Sequence, residues 1–432
     1  MESATTKNEP AWHQYEQERN RNLRRNYWAN IIEGGIYMGG MTLLSGETVM
    51  PAMVNTLGGP EWLIALTPSL AMIGFMLPPL FMAHHVERMV RVKPFAAAMG
   101  ILQRLPFLIA GLSLLYFGDV NPTLALTFVV AAPLLAGLAG GIGMSAWFEL
   151  VCRVIPEHRR ASSWGMRFLL QGAAGLGAGL VIEAVLRRYP GTDGFGILML
   201  LTFAALCLSY LIFLQIREVQ PPDAGKHHSA ANLRDNLVNM LGILRTDRVF
   251  QPLLWSRLLS MGYLIPAPFF GLHALRVTGQ PEAWLGHLVI LQMVGGVIAN
   301  AVGSLLGDRF GGKMLIVASR FSMLAVCVLL PLAGSKLAFE VLFFVYGLGF
   351  AMQHVGFTTV FSKIIPSDSR PSYVGLQAGL TLPATLLAAG IGGVLMQMFG
   401  NVLWPSLAAL VFLAFSTVLL VRVREMRSGN AG

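Results

Sequence analysis

Four charged residues stand inside long apolar runs: Glu33, Arg104, Glu149 and Arg257. A charge in hydrocarbon is costly and faces protein or water. Burial favours the neutral carboxyl, so Glu33 or Glu149 could take up and release a proton. Arg104 or Arg257 could bind an anionic solute or balance a deprotonated acid. The plain alternative is a permanent interhelical ion pair. It weighs as much as coupling for Glu149, and more for Arg167 and Arg320, which can snorkel to the near surface. Glu47 and Glu183 approach the far ends of their runs and can reach headgroups. Gln353 and His354 add a polar pair; His354 could sense protons or bind solute. Consecutive residues point about 100° apart on a helix, so both need not face one cavity. Asn30, Trp147, Gln171, Gln292 and Gln377 are the further cavity candidates.

Nothing in the chain suggests catalysis. There is no HExxH motif, P-loop or nucleophile elbow. Cys152, Cys207 and Cys327 lack metal-ligand spacing, and His227 and His228 read as polar linker residues. The sequence predicts no metal, no cofactor and no enzyme.

The elements holding these residues are membrane helices. Of 432 residues, 55% are hydrophobic and 12% charged, against roughly 25% charged in soluble domains. Residues 120–148, 341–362 and 371–421 carry no Asp, Glu, Lys or Arg. About 20 apolar residues cross about 30 Å of hydrocarbon as a helix. A barrel would show alternating strands, whereas Leu198 to Leu214 is almost continuously apolar. Twelve spans are predicted: 27–51, 62–83, 94–117, 123–151, 162–186, 194–216, 249–274, 284–306, 313–334, 338–362, 372–397 and 402–421.

The formal charge of +9 is spread as short groups between spans, which argues for topology and against nucleic acid. One side receives 25 of the 31 basic residues. Positive charge stays in the cytoplasm, so both termini are expected there. The expected order is a cytoplasmic N-terminal segment, 1–26, and a six-helix bundle, 27–216. A linker, 217–248, follows, with a surface helix over Asn232–Leu244, then a second six-helix bundle, 249–421, and a tail, 422–432. The basic N-terminus before so long an apolar stretch is no cleavable signal peptide.

The two halves repeat one another. Pro156, Arg160, Ser162 and Gly165 match Pro366, Arg370, Ser372 and Gly375 at an offset of 210 residues. Arg153 and Lys363 share that offset. Glu87–Arg88 matches Asp308–Arg309, and Pro60–Glu61 matches Pro281–Glu282, at an offset of 221. Such repeats characterise transporters whose bundles rock about a central site. Charged turns between spans can hold one access state shut. Glu87, Arg88, Arg160, Asp308, Arg309, Gly311 and Arg370 are therefore gate candidates; topology anchoring by the same basic residues is compatible.

The stretch Ser304 to Lys313, with Gly307, Asp308, Arg309, Gly311 and Lys313, resembles the loop motif of major facilitator superfamily transporters. That motif runs glycine, three residues, aspartate, a basic residue, one residue, glycine, then basic residues. Ser304 stands for the first glycine. In the first-half copy Ala83, Glu87 and Val90 replace glycine, aspartate and glycine. The fifth span lacks the Gly–Pro pair of the antiporter signature, and the fourth lacks the mid-helix arginine of many proton-coupled drug exporters. The resemblance implies an all-α polytopic membrane protein of twelve transmembrane helices in two six-helix bundles, working by alternating access.

The functional expectation is a secondary active transporter of a small organic or amphipathic solute, proton-coupled, symport or antiport. It would work as a monomer in the bacterial inner membrane, with solute, proton and lipid as its partners. The alternatives are an organic-anion importer using Arg104 and Arg257, a lipid-translocating relative, and a non-transporting receptor.

Overall fold

The computed structural model describes residues 9–76, 78–79, 82, 85–86, 88–222, 224, 242–365 and 370–423. Among these, ten helices are long and apolar enough to cross a membrane by length and composition. The α-helices, in chain order, are α1 (Glu9–Thr42), α2 (Val49–Thr56), α3 (Glu61–Met76), α4 (Lys93–Phe117), α5 (Pro122–Val154), α6 (Glu157–Arg188), α7 (Thr192–Phe213), α8 (Phe250–Ser260), α9 (Phe270–Thr278), α10 (Trp284–Phe310), α11 (Gly312–Leu329), α12 (Lys336–Ile364), α13 (Arg370–Phe399) and α14 (Leu403–Arg422).

Local chemistry sets many of the helix ends. Pro122 opens α5 behind Asn121, whose side chain accepts from Leu124 N, the usual proline and Asx start. Ser335 caps α12 through Ala338 N. Gly311 separates α10 from α11 with φ of +89°, a backbone state that favours glycine.

Two predicted spans differ from a single straight helix. The first is preceded by helix from Glu9 and interrupted after Thr42, resuming at Val49. Residues 9–26 are thus helical; Tyr15 Oη donates to the Arg153 carbonyl at 2.8 Å. Burial outweighs the nearby Arg19 charge and holds the Tyr15 phenol above its ordinary value. The seventh span breaks at Met261–Leu264 and Ala267–Phe269, two short 3-10 turns between α8 and α9. Pro266 and Pro268 explain that break. Shifted by 221 residues, the first break falls on the second. The expected surface helix 232–244 and gate residue Glu87 lie mostly or wholly outside the described residues.

The helices pack as two units. The first comprises 1–44, 70–178 and 195–230; the second, 45–69, 179–194 and 231–432. In the first unit, Leu150, Val154, Ile155, Phe213 and Ile216 form a core with Trp147 packed on it. In the second, Phe357, Val360, Ile364 and Val423 sit at the positions of Trp147, Leu150, Val154 and Phe213 plus 210. The repeat read from the loops therefore continues into the packed interiors. Apolar side chains such as Leu169, Phe321, Leu387, Phe415 and Val418 are exposed, as a lipid-facing surface requires.

The second unit joins first-half segments to second-half helices. The matched Pro–Glu pairs reach across reciprocally. Glu61 pairs with Arg276 at 3.9 Å. Glu282 accepts from Thr56 Oγ1 at 2.9 Å and from Gly191 N at 3.3 Å.

Candidate functional site

The first unit contains a cavity of about 240 Å³. Helices α1, α4, α5, α6 and α7 each supply part of its wall. Glu33, Tyr37, Gln103, Arg104, Arg167 and Gln171 provide its polar groups; Phe75, Phe168, Phe213, Trp147, Trp164 and three methionines, Met38, Met99 and Met144, provide an apolar wall. The mix of a few converging polar groups on an apolar lining is typical of small-molecule sites.

Glu33 and Arg167 form its centre. Arg167 Nη1 lies 3.0 Å from Glu33 Oε2, and both side chains are about nine-tenths buried. Asn30 supports the pair, receiving Arg167 Nη1 at 3.3 Å and donating to Ser163 Oγ at 3.0 Å. The guanidinium carbon sits 4.8 Å from the Trp147 ring and 5.6 Å from Trp164, within cation–π range. Gly34 makes room for this arrangement: a β-carbon there would collide with the Arg167 guanidinium. Arg167 therefore does not snorkel; it is 7% exposed and joined to Glu33.

Arg104 is held without a carboxylate. Its Nε donates to Leu206 O at 2.6 Å, its Nη1 to Gly100 O, and its guanidinium lies 4.8 Å from the Tyr210 ring. The cavity thus holds two arginines against one glutamate. Gln103 donates to Tyr37 Oη at 2.7 Å, a pair not anticipated from sequence, although both are polar residues in apolar runs. Gln171 Oε1 is buried without a hydrogen-bond partner.

Glu149 stands apart from the cavity. It pairs with Arg153 one turn on, at 2.8 Å, and is 42% exposed. Arg153 also meets Glu218 at 3.3 Å and Val90 O at 2.8 Å, and Glu218 accepts from Val92 N at the start of α4. Arg160 donates to Ile155 O and Cys152 O, satisfying carbonyls at the end of α5. Arg88 and Arg309 are exposed. The side chains of Asp308 and Arg370 lie outside the described residues. One contact is shared by both halves: Lys93 Nζ donates to Leu214 O at 2.8 Å, and Lys313 Nζ to Val423 O at 2.7 Å.

The second unit contains Arg257, Arg320, Gln292 and Gln353. Arg320 is 2% exposed and so does not snorkel either. It donates to Ser416 Oγ at 2.9 Å and to Gln353 Oε1. Arg257 lies 5.0 Å from the Phe357 ring, with Nε unpartnered. Gln292 donates to Glu47 at 3.1 Å, so Glu47 faces protein. Glu183 bonds Arg187 on its own helix. His354 is exposed while Gln353 is buried, and the two diverge as helical geometry requires. Half-buried Gln377 donates to Thr381 at 3.1 Å. Among the described residues no three His, Cys, Asp or Glu side chains cluster to hold a metal ion.

No protein-family model and no curated protein matches the chain. Solved structures do. The nucleoside transporter NupG matches with a TM-score of 0.71 at 14% identity, over 91% of this chain and 98% of that one. A D-xylose-proton symporter matches at 0.69 and 13%, over 93% and 98%. An inward-facing bacterial homologue of the iron transporter ferroportin matches at 0.65 and 17%, over 94% and 100%. The chain has the general fold that these solved transporters share.

Proposed function

We propose that this chain is a secondary active transporter of a small organic solute, working by alternating access between two six-helix bundles and driven by a proton gradient. The observation that carries this reading is the cavity of the first unit, a mostly apolar and aromatic chamber with a polar centre, in a fold shared with solved transporters. Its solute has an apolar or aromatic body and an anionic group. Trp147, Trp164 and Phe168 supply faces for the body. Arg104 supplies the charge: its direct bonds go to backbone carbonyls, and Glu33 is paired with Arg167.

An uncompensated guanidinium in a low-dielectric chamber favours an anion strongly. That supports the organic-anion reading over a lipid carrier. The reciprocal Glu61 and Glu282 contacts are the second support, since paired contacts of this kind can be made in one access state and broken in the other. With both termini cytoplasmic, these contacts belong to the external side.

The test is flux in proteoliposomes of the purified chain, screened over amphipathic organic anions and neutral analogues under an imposed pH gradient. Uptake of anions that falls for neutral analogues and for Arg104→Gln supports the reading. Ligand binding with no flux for any compound would make the chain a receptor.

A further inference from the structure

The interruption of the first span holds a carboxylate bonded to a neutral amide. Glu47 lies between α1 and α2. Its Oε2 accepts from Gln292 Nε2 of α10. The hydroxyl of buried Tyr346, on α12, lies against the carboxylate but outside hydrogen-bond geometry. Among the described residues no Lys, Arg or His side chain forms an ion pair with Glu47.

The neighbours are short of partners. Thr48 Oγ1, Gln292 Oε1 and the Tyr346 hydroxyl are each buried and unpaired. The three residues are 1%, 7% and 2% exposed. Native proteins rarely leave such groups unsatisfied without a use for them. The backbone is opened at the same place: Gly46 O accepts from Thr67 Oγ1 at 3.1 Å. The interruption of the seventh span lies beside it, with Tyr263 6.2 Å from the Tyr346 ring and Gly271 against Thr48. Paired interruptions in corresponding spans are where transporters place coupling ions.

We propose that Glu47 binds the coupling proton, with Gln292 and Tyr346 holding both of its forms. This rests on the transport reading. The ionised carboxylate accepts from the Gln292 N–H and, after a small rotation, from the Tyr346 O–H. The protonated acid donates to Gln292 Oε1 or to the Tyr346 oxygen. An amide and a hydroxyl are each donor and acceptor, so reorientation satisfies either state. The proton enters from water and returns to water. Tyr263 and Tyr346 are the titratable groups at the site, and Tyr263 also feels the charges of Arg257 and Arg320. Elsewhere on the surrounding helices, Glu61 pairs with Arg276, His287 with Glu340, and His273 packs on Phe339.

Infrared difference spectra of the full chain in detergent, from about pH 5 to about pH 9, test this without any solute. The wild-type minus Glu47→Gln double difference should contain one titrating carboxylic C=O band, unaffected by replacing choline with sodium. Gln292→Ala and Tyr346→Phe should each move its midpoint. Absence of the band, its displacement by sodium, or an unmoved midpoint in both neighbour variants overturns the proposal. If Glu47→Gln does not fold, the neighbour variants decide through that band in their own spectra. A titrating band together with no flux of any compound in the proteoliposome screen would leave the proton site standing and remove the transport reading.

Discussion

The two units place similar residues at repeated positions and balance charge differently. In the first, Arg167 lies over Trp147 and is bonded directly to Glu33. In the second, Phe357 stands 210 residues on from Trp147 with Arg257 over it, and among the described residues no carboxylate is bonded to that arginine. Arg104 on α4 anchors to Leu206 of α7, and Arg320 on α11 to Ser416 of α14, the two acceptors again 210 apart. Glu47, in the second unit, is held by a neutral amide, that of Gln292. The first unit has thus closed a buried charge pair, and the second has kept Glu47 apart from Arg257 and Arg320. A closed Glu33–Arg167 pair suits a fixed wall of the solute cavity; an acid kept apart from the arginines suits titration.

The comparison breaks most visibly at the buried arginines. Arg167→Met strands Glu33 and should cost about 3–5 kcal/mol, read as a lowered melting temperature in detergent. Arg320→Met strands no carboxylate. It loses two hydrogen bonds and regains the desolvation of a lone cation, for a net of about 1 kcal/mol or less. Equal losses would mean that the units balance charge in the same way.

Gly34→Ala comes next. Its β-carbon displaces the Arg167 guanidinium, and overpacking of that kind costs about 1–3 kcal/mol. Gly177→Ala, where nothing lies within 4 Å, should be neutral or stabilise by up to about 1 kcal/mol. A silent Gly34→Ala would show that the pair tolerates displacement.

The smallest effects should be the shared ones. Lys93→Met removes a bond to the Leu214 carbonyl just past α7, and Lys313→Met removes bonds to the Val421 and Val423 carbonyls at the end of α14. Each should cost about 1 kcal/mol or less, with Lys313→Met at least as costly as Lys93→Met. A large difference would limit the repeat to sequence.

Much of the site was legible because charges in apolar runs are rare. Glu33, Arg104, Asn30, Trp147 and Gln171 all reach the cavity or its supporting network. Other assignments needed tertiary contacts. Glu149 sits in an apolar stretch, yet Arg153 one turn away takes its charge and leaves it near the surface. Arg167 and Arg320 are near enough to span ends to snorkel, and only the approach of α1 in one case and of α14 in the other shows why they do not. Tyr37 and Gln103 were missed because each finds its partner on another helix. The seventh-span interruption had proline signals. The first has none between Thr42 and Val49, so Glu47 read as part of a continuous helix.

Counterflow in proteoliposomes tests the assignment of the solute site most directly, since exchange of labelled for unlabelled solute needs no proton gradient. With the anion identified by the flux screen, Arg104→Gln and Trp147→Ala should each lower counterflow at least about tenfold, the effect of roughly 1.4 kcal/mol of lost binding. Arg320→Met should stay near wild type. Full counterflow in both first-unit variants, with loss in Arg320→Met, would move the solute site to the second unit.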